Sequence, residues 1–178
     1  MYISYLNEII SNLILLKNHE IVSKLNSVIE GMNRHRTIFI IGNGGSAATS
    51  IHFAEDLNKS ANLRTRALVE NISDVTALAN DCGYETIFLN QLKNHAIKGD
   101  ILFAISCSGN SINVIKAVEW ARENGIRTIG LTGFDGGKLS QIDEIDINVP
   151  SNNIRICEDI HMIICHMIVQ KLSEKRNG

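Results

Sequence analysis

Twice in this chain a short, almost uninterrupted apolar run ends in a loop of glycine, asparagine or serine, and a helical pattern begins directly after it. The first unit is Thr37-Ile38-Phe39-Ile40-Ile41, then Gly42-Asn43-Gly44-Gly45-Ser46, then Ala47–Leu57. The second is Ile101-Leu102-Phe103-Ala104-Ile105, then Ser106-Cys107-Ser108-Gly109-Asn110-Ser111, then Ile112–Glu123. A strand that does not alternate is buried on both faces. Such strands, each followed by a helix, make βαβ units and dictate a parallel sheet with helices over both faces. Arg127–Leu131, closed by Thr132-Gly133, and Ile145–Val149, stopped by the lone Pro150, add two strands. A further strand is expected at Thr65–Leu68. The fold class is α/β.

The bulk numbers agree with one globular domain. The 178 residues fall within the roughly 100–200 that a domain usually holds. Apolar residues make up 44% and charged residues 20%, enough for a core. The net charge is −2 with Lys and Arg spread along the chain, so nothing points to nucleic acid. Cysteines stand at 82, 107, 157 and 165 without a C-x-x-C pair. That argues against a disulfide framework or a zinc–thiolate cage and suits a reducing cytosol. Glu8 interrupts the apolar N-terminus, which lacks the marks of a signal peptide. No uncharged apolar run reaches the roughly 20 residues of a membrane span. Disorder is expected only at Ser173 to Gly178.

Both ends of the chain carry more apolar surface than one core needs. Ile3, Leu6, Ile10, Leu13 and Leu16 repeat at helical spacing, and Ile21, Leu25, Val28 and Met32 continue the stripe. That is one long helix or two in series. Ile9, Ile14 and Leu15 widen the stripe, so this segment is expected to pack against a second subunit as well. Ile156–Leu172 reads as a helix that is apolar nearly all round and therefore buried, within the domain or between subunits.

The loop 106–111 is suited to an anion. It precedes a helix whose first N–H groups lack partners and whose dipole favours negative charge. Ser106, Ser108 and Ser111 can add hydroxyl donors, and Gly109 lets the backbone come close. The loop has neither Lys nor Arg, so hydrogen bonds would do the holding. Taken singly, Asn110 or Ser111 also reads as a helix N-cap. The loop 42–46 lacks the spacing of a dinucleotide fingerprint and the ending of a P-loop. It still lies at the carboxyl end of a strand, where open α/β sheets bind ligands. The alternative is a tight turn with Ser46 as N-cap.

The loops GNGGS at 42–46 and SCSGNS at 106–111 together resemble the SIS (sugar isomerase) family. His52-Phe53-Ala54-Glu55-Asp56 is similar to the His-Phe-Ala-Glu-Glu of the phosphoheptose isomerases within that family. Asn80-Asp81, Leu131-Thr132-Gly133, Asp135-Gly136-Gly137-Lys138, and His161 with His166 extend the resemblance over about residues 36–170. It implies a single SIS domain, taken over 1–178; the helical segment 1–34, from its widened apolar stripe, is expected to be an oligomer interface. It implies a cytoplasmic homotetramer, with active sites between subunits. The implied activity is a ketose–aldose isomerisation of sedoheptulose 7-phosphate to D-glycero-D-manno-heptose 7-phosphate, supplying heptose for surface polysaccharide. Ser106, Cys107, Ser108 and Ser111 would hold the phosphate, and Asn43, Gly44, Gly45, Asn80, Asp81 and Glu158 would complete the substrate site. His52, Asp56, Glu158 and His166 fall on the family's zinc positions, and Asp56 with His166 would be the acid/base pair. The chain departs from the family pattern in Asp56 for Glu, Glu158 for Gln and Cys107 for Thr, with Ser60 and Arg155 near an expected Arg and Asp.

Spacing supports part of this chemistry independently. Isomerisation moves one proton between C1 and C2 and another between their oxygens, which suits a carboxylate and a near-neutral imidazole. His52 and Asp56, at i and i+4, share one helix face directly after the glycine loop. Two imidazoles and two carboxylates are an acceptable zinc set. Glu158 and His166, however, are separated by about 12 Å of helical rise. His161, at i+3 from Glu158, is better spaced and stands as an alternative ligand or a supporting residue. Glu55 and Glu158 remain alternative bases if the shorter Asp56 does not reach. A non-catalytic phosphosugar-binding module and an isomerase of another phosphosugar are the competing functions. His19, His35 and His95 read as solvated, and Trp120 as packing.

Overall fold

The computed structural model describes residues 2–177; Met1 and Gly178 lie outside the described residues. Among these, five strands form one sheet: β1 (Thr37–Gly42), β2 (Arg64–Ala67), β3 (Ile101–Ser106), β4 (Arg127–Gly133) and β5 (Ile145–Val149). Every pairing is parallel and the order is β2-β1-β3-β4-β5. The order reverses between β1 and β3, and a doubly wound sheet forms its ligand crevice outside the carboxyl ends of such a pair. Ile41 is in register with Ala104 and Gly42 with Ile105, so the two loops singled out above leave the sheet side by side.

The strands are apolar on both faces because each face meets helices. Ile38 and Ile40 of β1, with Ile101, Phe103 and Ile105 of β3, join one core. Over it lie α1 (Tyr2–Leu15), α2 (His19–Gly31), α3 (Gly45–Ala61) and α8 (Ile154–Asn177). Phe39, Ile41, Leu102 and Ala104 point the other way. They pack under α4 (Ile72–Cys82), α5 (Ile87–His95), α6 (Ile112–Glu123) and the short α7 (Leu139–Ile142). Phe53 of α3 meets Phe103 edge-on, with ring centroids 5.2 Å apart, and fixes the depth at which α3 crosses the sheet.

The N-terminal segment is two helices in series. Asn18 caps the second by accepting from the Glu20 amide at 2.8 Å. Tyr5, Ile9, Leu13 and Leu16 face this domain's core, while Ile3, Leu6, Ile10 and Ile14 face outward and are more than half exposed. The expected stripe of Ile3, Leu6 and Ile10 is thus the outer face, and Ile9 belongs to the inner one. Glu8, which interrupts the apolar run, accepts a hydrogen bond from Ser151, and Tyr5 donates to Asp159 of α8.

Other boundaries shift for local reasons. The helix after the first loop starts at Gly45, and α8 continues through Ser173 to Asn177, where disorder was expected. Residues 70–98 carry α4 and α5, which the sequence reading left unassigned. Asn71 caps α4 by accepting from the Ser73 amide, but α4 has no fully buried residue. No helix among the described residues is long and apolar enough to cross a membrane.

Candidate functional site

Two stations lie along the α3–α8 pair. The upper one is built on the β3–α6 turn. Ser111 has the extended backbone of an N-cap, yet its side chain makes no capping bond. Its hydroxyl instead accepts from Ser106 Oγ at 3.3 Å. The helix start is therefore not closed off by its own serine, although Asn113 Oδ1 accepts from the Val114 amide at 3.0 Å. The loop is braced from below: the Leu139 amide donates to the Gly109 carbonyl at 2.9 Å, the Lys138 amide to Asn110 Oδ1 at 3.1 Å, and the Gly133 amide to the Cys107 carbonyl at 2.9 Å. Gly109 has φ +62°, and a Cβ there would fall 1.9 Å from the Gly136 carbonyl oxygen, so only glycine fits.

A cleft of about 170 Å³ opens at this point, lined by Asn43, Ser46, Ser106, Cys107, Ser108, Ser111 and Glu158. No Lys or Arg lines it. Ser46 lies inside α3, not at its cap; the cap position is Gly44, at φ +55°. Asn43 is held by a mutual amide pair with Asn113: Asn43 Nδ2 donates to Asn113 Oδ1 at 2.9 Å, and Asn113 Nδ2 donates to Asn43 Oδ1 at 3.0 Å. Tyr84 also donates to Asn43 Oδ1, at 2.8 Å. Sequence reasoning missed Asn113 and Tyr84. The signal available was a buried amide in the first turn of α6, a polar residue at a core position. Gly45 matters through what it lacks. A Cβ there would lie 2.2 Å from Glu158 Oε1, so glycine lets the α8 carboxylate rest on the N-terminus of α3.

The lower station is two turns further along both helices. His52 Nε2 lies 3.2 Å from Asp56 Oδ2, His166 Nε2 lies 3.4 Å from His52 Nε2, and His166 Nε2 lies 3.8 Å from Asp56 Oδ2. Three ligand-type atoms converge within 4.8 Å of one another, and among the described residues this is the group able to hold a metal ion. Two imidazole nitrogens and one carboxylate oxygen with an open side suit zinc in a three-ligand site. The His52 and His166 side chains are 50% and 52% exposed, so a single chain leaves the station open.

Several expected residues stand elsewhere. Glu158 is not in the metal-type cluster: the helical rise between positions 158 and 166 carries it up to the anion cleft. Asn80 and Asp81 are exposed and bond each other at 2.7 Å, outside the cleft lining. His161 is fully buried, with Nε2 2.9 Å from the Thr132 carbonyl oxygen, and burial pushes its pKa down to about 4. It is a core histidine, not an alternative ligand. Glu55 is exposed near Lys59, on a different face from Asp56. Cys107 lies against α8, and the contact with the Cys157 sulfur, together with burial, pushes its thiol above the usual range.

The SIS domain model matches residues 1–133. The chain belongs to the SIS domain family. The match includes the N-terminal helices, which the motif resemblance did not reach, and stops before α8. Phosphoheptose isomerase from Aliarcobacter butzleri is 42% identical over 147 residues, covering 80% of this chain and 78% of the relative. Phosphoheptose isomerase from Rhodospirillum rubrum is 42% identical over 136 residues, covering 74% of this chain and 72% of the relative. The solved structure of phosphoheptose isomerase from Neisseria gonorrhoeae superposes with a TM-score of 0.88 at 31% identity, covering 96% of this chain and 97% of that one. Within the SIS domain family the chain thus stands with the phosphoheptose isomerases, as an α/β isomerase.

The loop geometry generates one test. Gly109→Ala forces a side chain into the left-handed region, a cost of about 1–2 kcal/mol, and against the Gly136 carbonyl. Calorimetric titration with inorganic phosphate should show affinity lower by about tenfold or more, one 1.4 kcal/mol step, while circular dichroism stays native. Unchanged phosphate affinity would mean that this loop does not grip the anion.

Proposed function

We propose that this chain isomerises sedoheptulose 7-phosphate to D-glycero-D-manno-heptose 7-phosphate. One observation carries the reading: an anion cleft and a carboxylate–imidazole cluster lie about 12 Å apart along one helix, because eight residues separate Glu158 from His166. A seven-carbon sugar with phosphate at one end and its reacting carbons at the other spans two such stations. A shorter phosphosugar would leave one of them unfilled.

The phosphate goes to Ser106, Ser108 and Ser111 and the amides of the α6 start, with the Cys107 backbone at the loop's centre. Asn43, held by Asn113 and Tyr84, and the Gly44–Gly45 backbone meet the adjoining hydroxyls. Glu158, beside them, accepts hydrogen bonds from sugar hydroxyls. Asn80 and Asp81 join only if a second subunit or a ligand-bound state brings them in.

At the lower station Asp56 takes the proton from C1 and returns it to C2. His166 gives a proton to the C2 oxygen and recovers one from the C1 oxygen, so the net change is zero. Asp56 Oδ2 faces both imidazoles, and in this reading Oδ1 is the oxygen that carries the carbon proton. His52, Asp56 and His166 are the residues that would hold zinc. Bound there, zinc supplies Lewis acidity toward the carbonyl oxygen. The fourth expected ligand, Glu158, would have to come from another subunit. We assign the enzyme to the cytoplasm and its product to surface polysaccharide heptose.

Turnover tests this directly. Wild-type protein with sedoheptulose 7-phosphate and zinc should yield the aldose by NMR. His166→Ala should lower kcat by about 100-fold or more while the thermal transition stays in place. Activity retained in that variant would remove His166 from the proton path.

The half-open cluster and the outward apolar face of α1 support a homotetramer in which a neighbour covers the station. Light scattering should give a tetramer. A monomer with full turnover would contradict this assembly.

A further inference from the structure

The floor of the anion cleft carries a second kind of chemistry. Cys107 lines the cleft, and its sulfur turns toward α8. It lies 4.0 Å from the Ile154 carbonyl oxygen and 3.9 Å from His161 Nδ1. Positions 154, 157 and 161 follow one face of a helix, since residues three and four apart stack over each other. Cys107 Sγ therefore sits over the middle of that face, which is Cys157. From the other side, a Cβ on Gly133 would lie 2.5 Å from Cys157 Sγ and 2.9 Å from the Cys107 carbonyl oxygen. The Cys157 thiol itself rests on the Ser151 and Val149 carbonyl oxygens, at 3.3 and 3.8 Å. Cys157 is fully buried, Cys165 is fully buried, and Cys82 is exposed. The way to the Cys107–Cys157 pair from solvent is the cleft that Cys107 lines.

We propose that Cys107 and Cys157 are an oxidisable dithiol, closed to an intramolecular disulfide by hydrogen peroxide that enters the cleft. In the first step the Cys107 sulfur attacks the peroxide, whose O–O bond breaks, giving the sulfenic acid and water. His161 Nε2–H donates to the Thr132 carbonyl, which leaves the Nδ1 lone pair to face the Cys107 sulfur at 3.9 Å and orient it; the thiol proton leaves with the departing hydroxide as water. In the second step the Cys157 sulfur attacks the sulfenic sulfur, the S–O bond breaks, and a second water leaves. Two thiols are oxidised, one peroxide is reduced, and thiol reductants reverse the bond.

The bond would draw the 106–111 loop toward α8, because bonded sulfurs lie much closer than two thiols in contact. The cleft narrows between Cys107 and Glu158, and an occupying phosphate in turn shuts out peroxide. That consequence rests on the phosphate reading of the cleft, whereas the bond itself does not.

The test uses the full chain with Cys82→Ser, which removes the exposed thiol. Hydrogen peroxide treatment should lower the intact mass by two hydrogens, and alkylation of the unfolded chain should then add two fewer adducts than in the reduced control. Peptide mapping should join the Cys107 peptide to the Cys157 peptide, and dithiothreitol should undo it. Oxidised protein should show a KM for the phosphosugar raised by about tenfold or more, a 1.4 kcal/mol loss. Cys157→Ser, which touches no proposed substrate contact, should retain turnover and stop at a sulfenic acid that dimedone traps. Recovery of both Cys107 and Cys157 fully alkylated, at peroxide levels that oxidise Cys82 in the native chain, would overturn the proposal. So would a link to Cys165 instead. If the Cys107–Cys157 link forms at the same rate with saturating inorganic phosphate, the dithiol stands and the phosphate reading of the cleft falls.

Discussion

The packing of α3 against α8 organises everything functional in this chain. Both helices begin at the carboxyl edge of the sheet and descend side by side over the same core. Residues at equal depth therefore meet: Gly45 with Glu158 at the top, and His52 and Asp56 with His166 two turns below. Phe53, wedged edge-on against Phe103, and Leu57 hold α3 down from its buried side. Ile156, Ile160, Ile164 and Ile168 do the same for α8. With the buried sides fixed, the faces that carry His52, Asp56 and His166 have little choice of partner.

The upper station handles an anion without a cation. Four serines line it, Ser111 does not cap the α6 start, and the charged residue in the lining is Glu158. A carboxylate at the N-terminus of α3 is itself favoured by the helix dipole, so Glu158 occupies one positive helix end while the α6 start remains for a ligand. A dianion and a carboxylate in one cleft repel each other. That sets Glu158 toward the sugar rather than the phosphate and gives the cleft a polarity: donors on the β3–α6 side, an acceptor on the α8 side.

Much of the fold was legible because β1 and β3 have no polar side. Runs such as Ile38–Ile41 and Ile101–Ile105 admit only a strand covered on both faces, and the helices that follow then have fixed places. The 70–98 region was not legible. α4 lies on the surface with only part of one side packed, and its propensities compete with the turn signals at Asn71 and Gly83. The pair His52 and Asp56 could be read from its i, i+4 spacing. Their meeting with His166 could not, because it depends on how deep α8 crosses α3, a tertiary quantity. The same depth separates Glu158 from the cluster. Asn113 and Tyr84 went unread because their partner, Asn43, is far away in sequence and joined to them only across the switch point between β1 and β3.

The central claim is a division of labour along α3 and α8, with the phosphate held above and the proton moved below. The most direct measurement is a crystal structure with sedoheptulose 7-phosphate bound. The account predicts the phosphorus atom within hydrogen-bonding reach of the 106–111 loop and the C1–C2 bond beside Asp56 and His166 of one chain. A phosphate seated away from that loop, or C1 and C2 out of reach of both side chains, would contradict it.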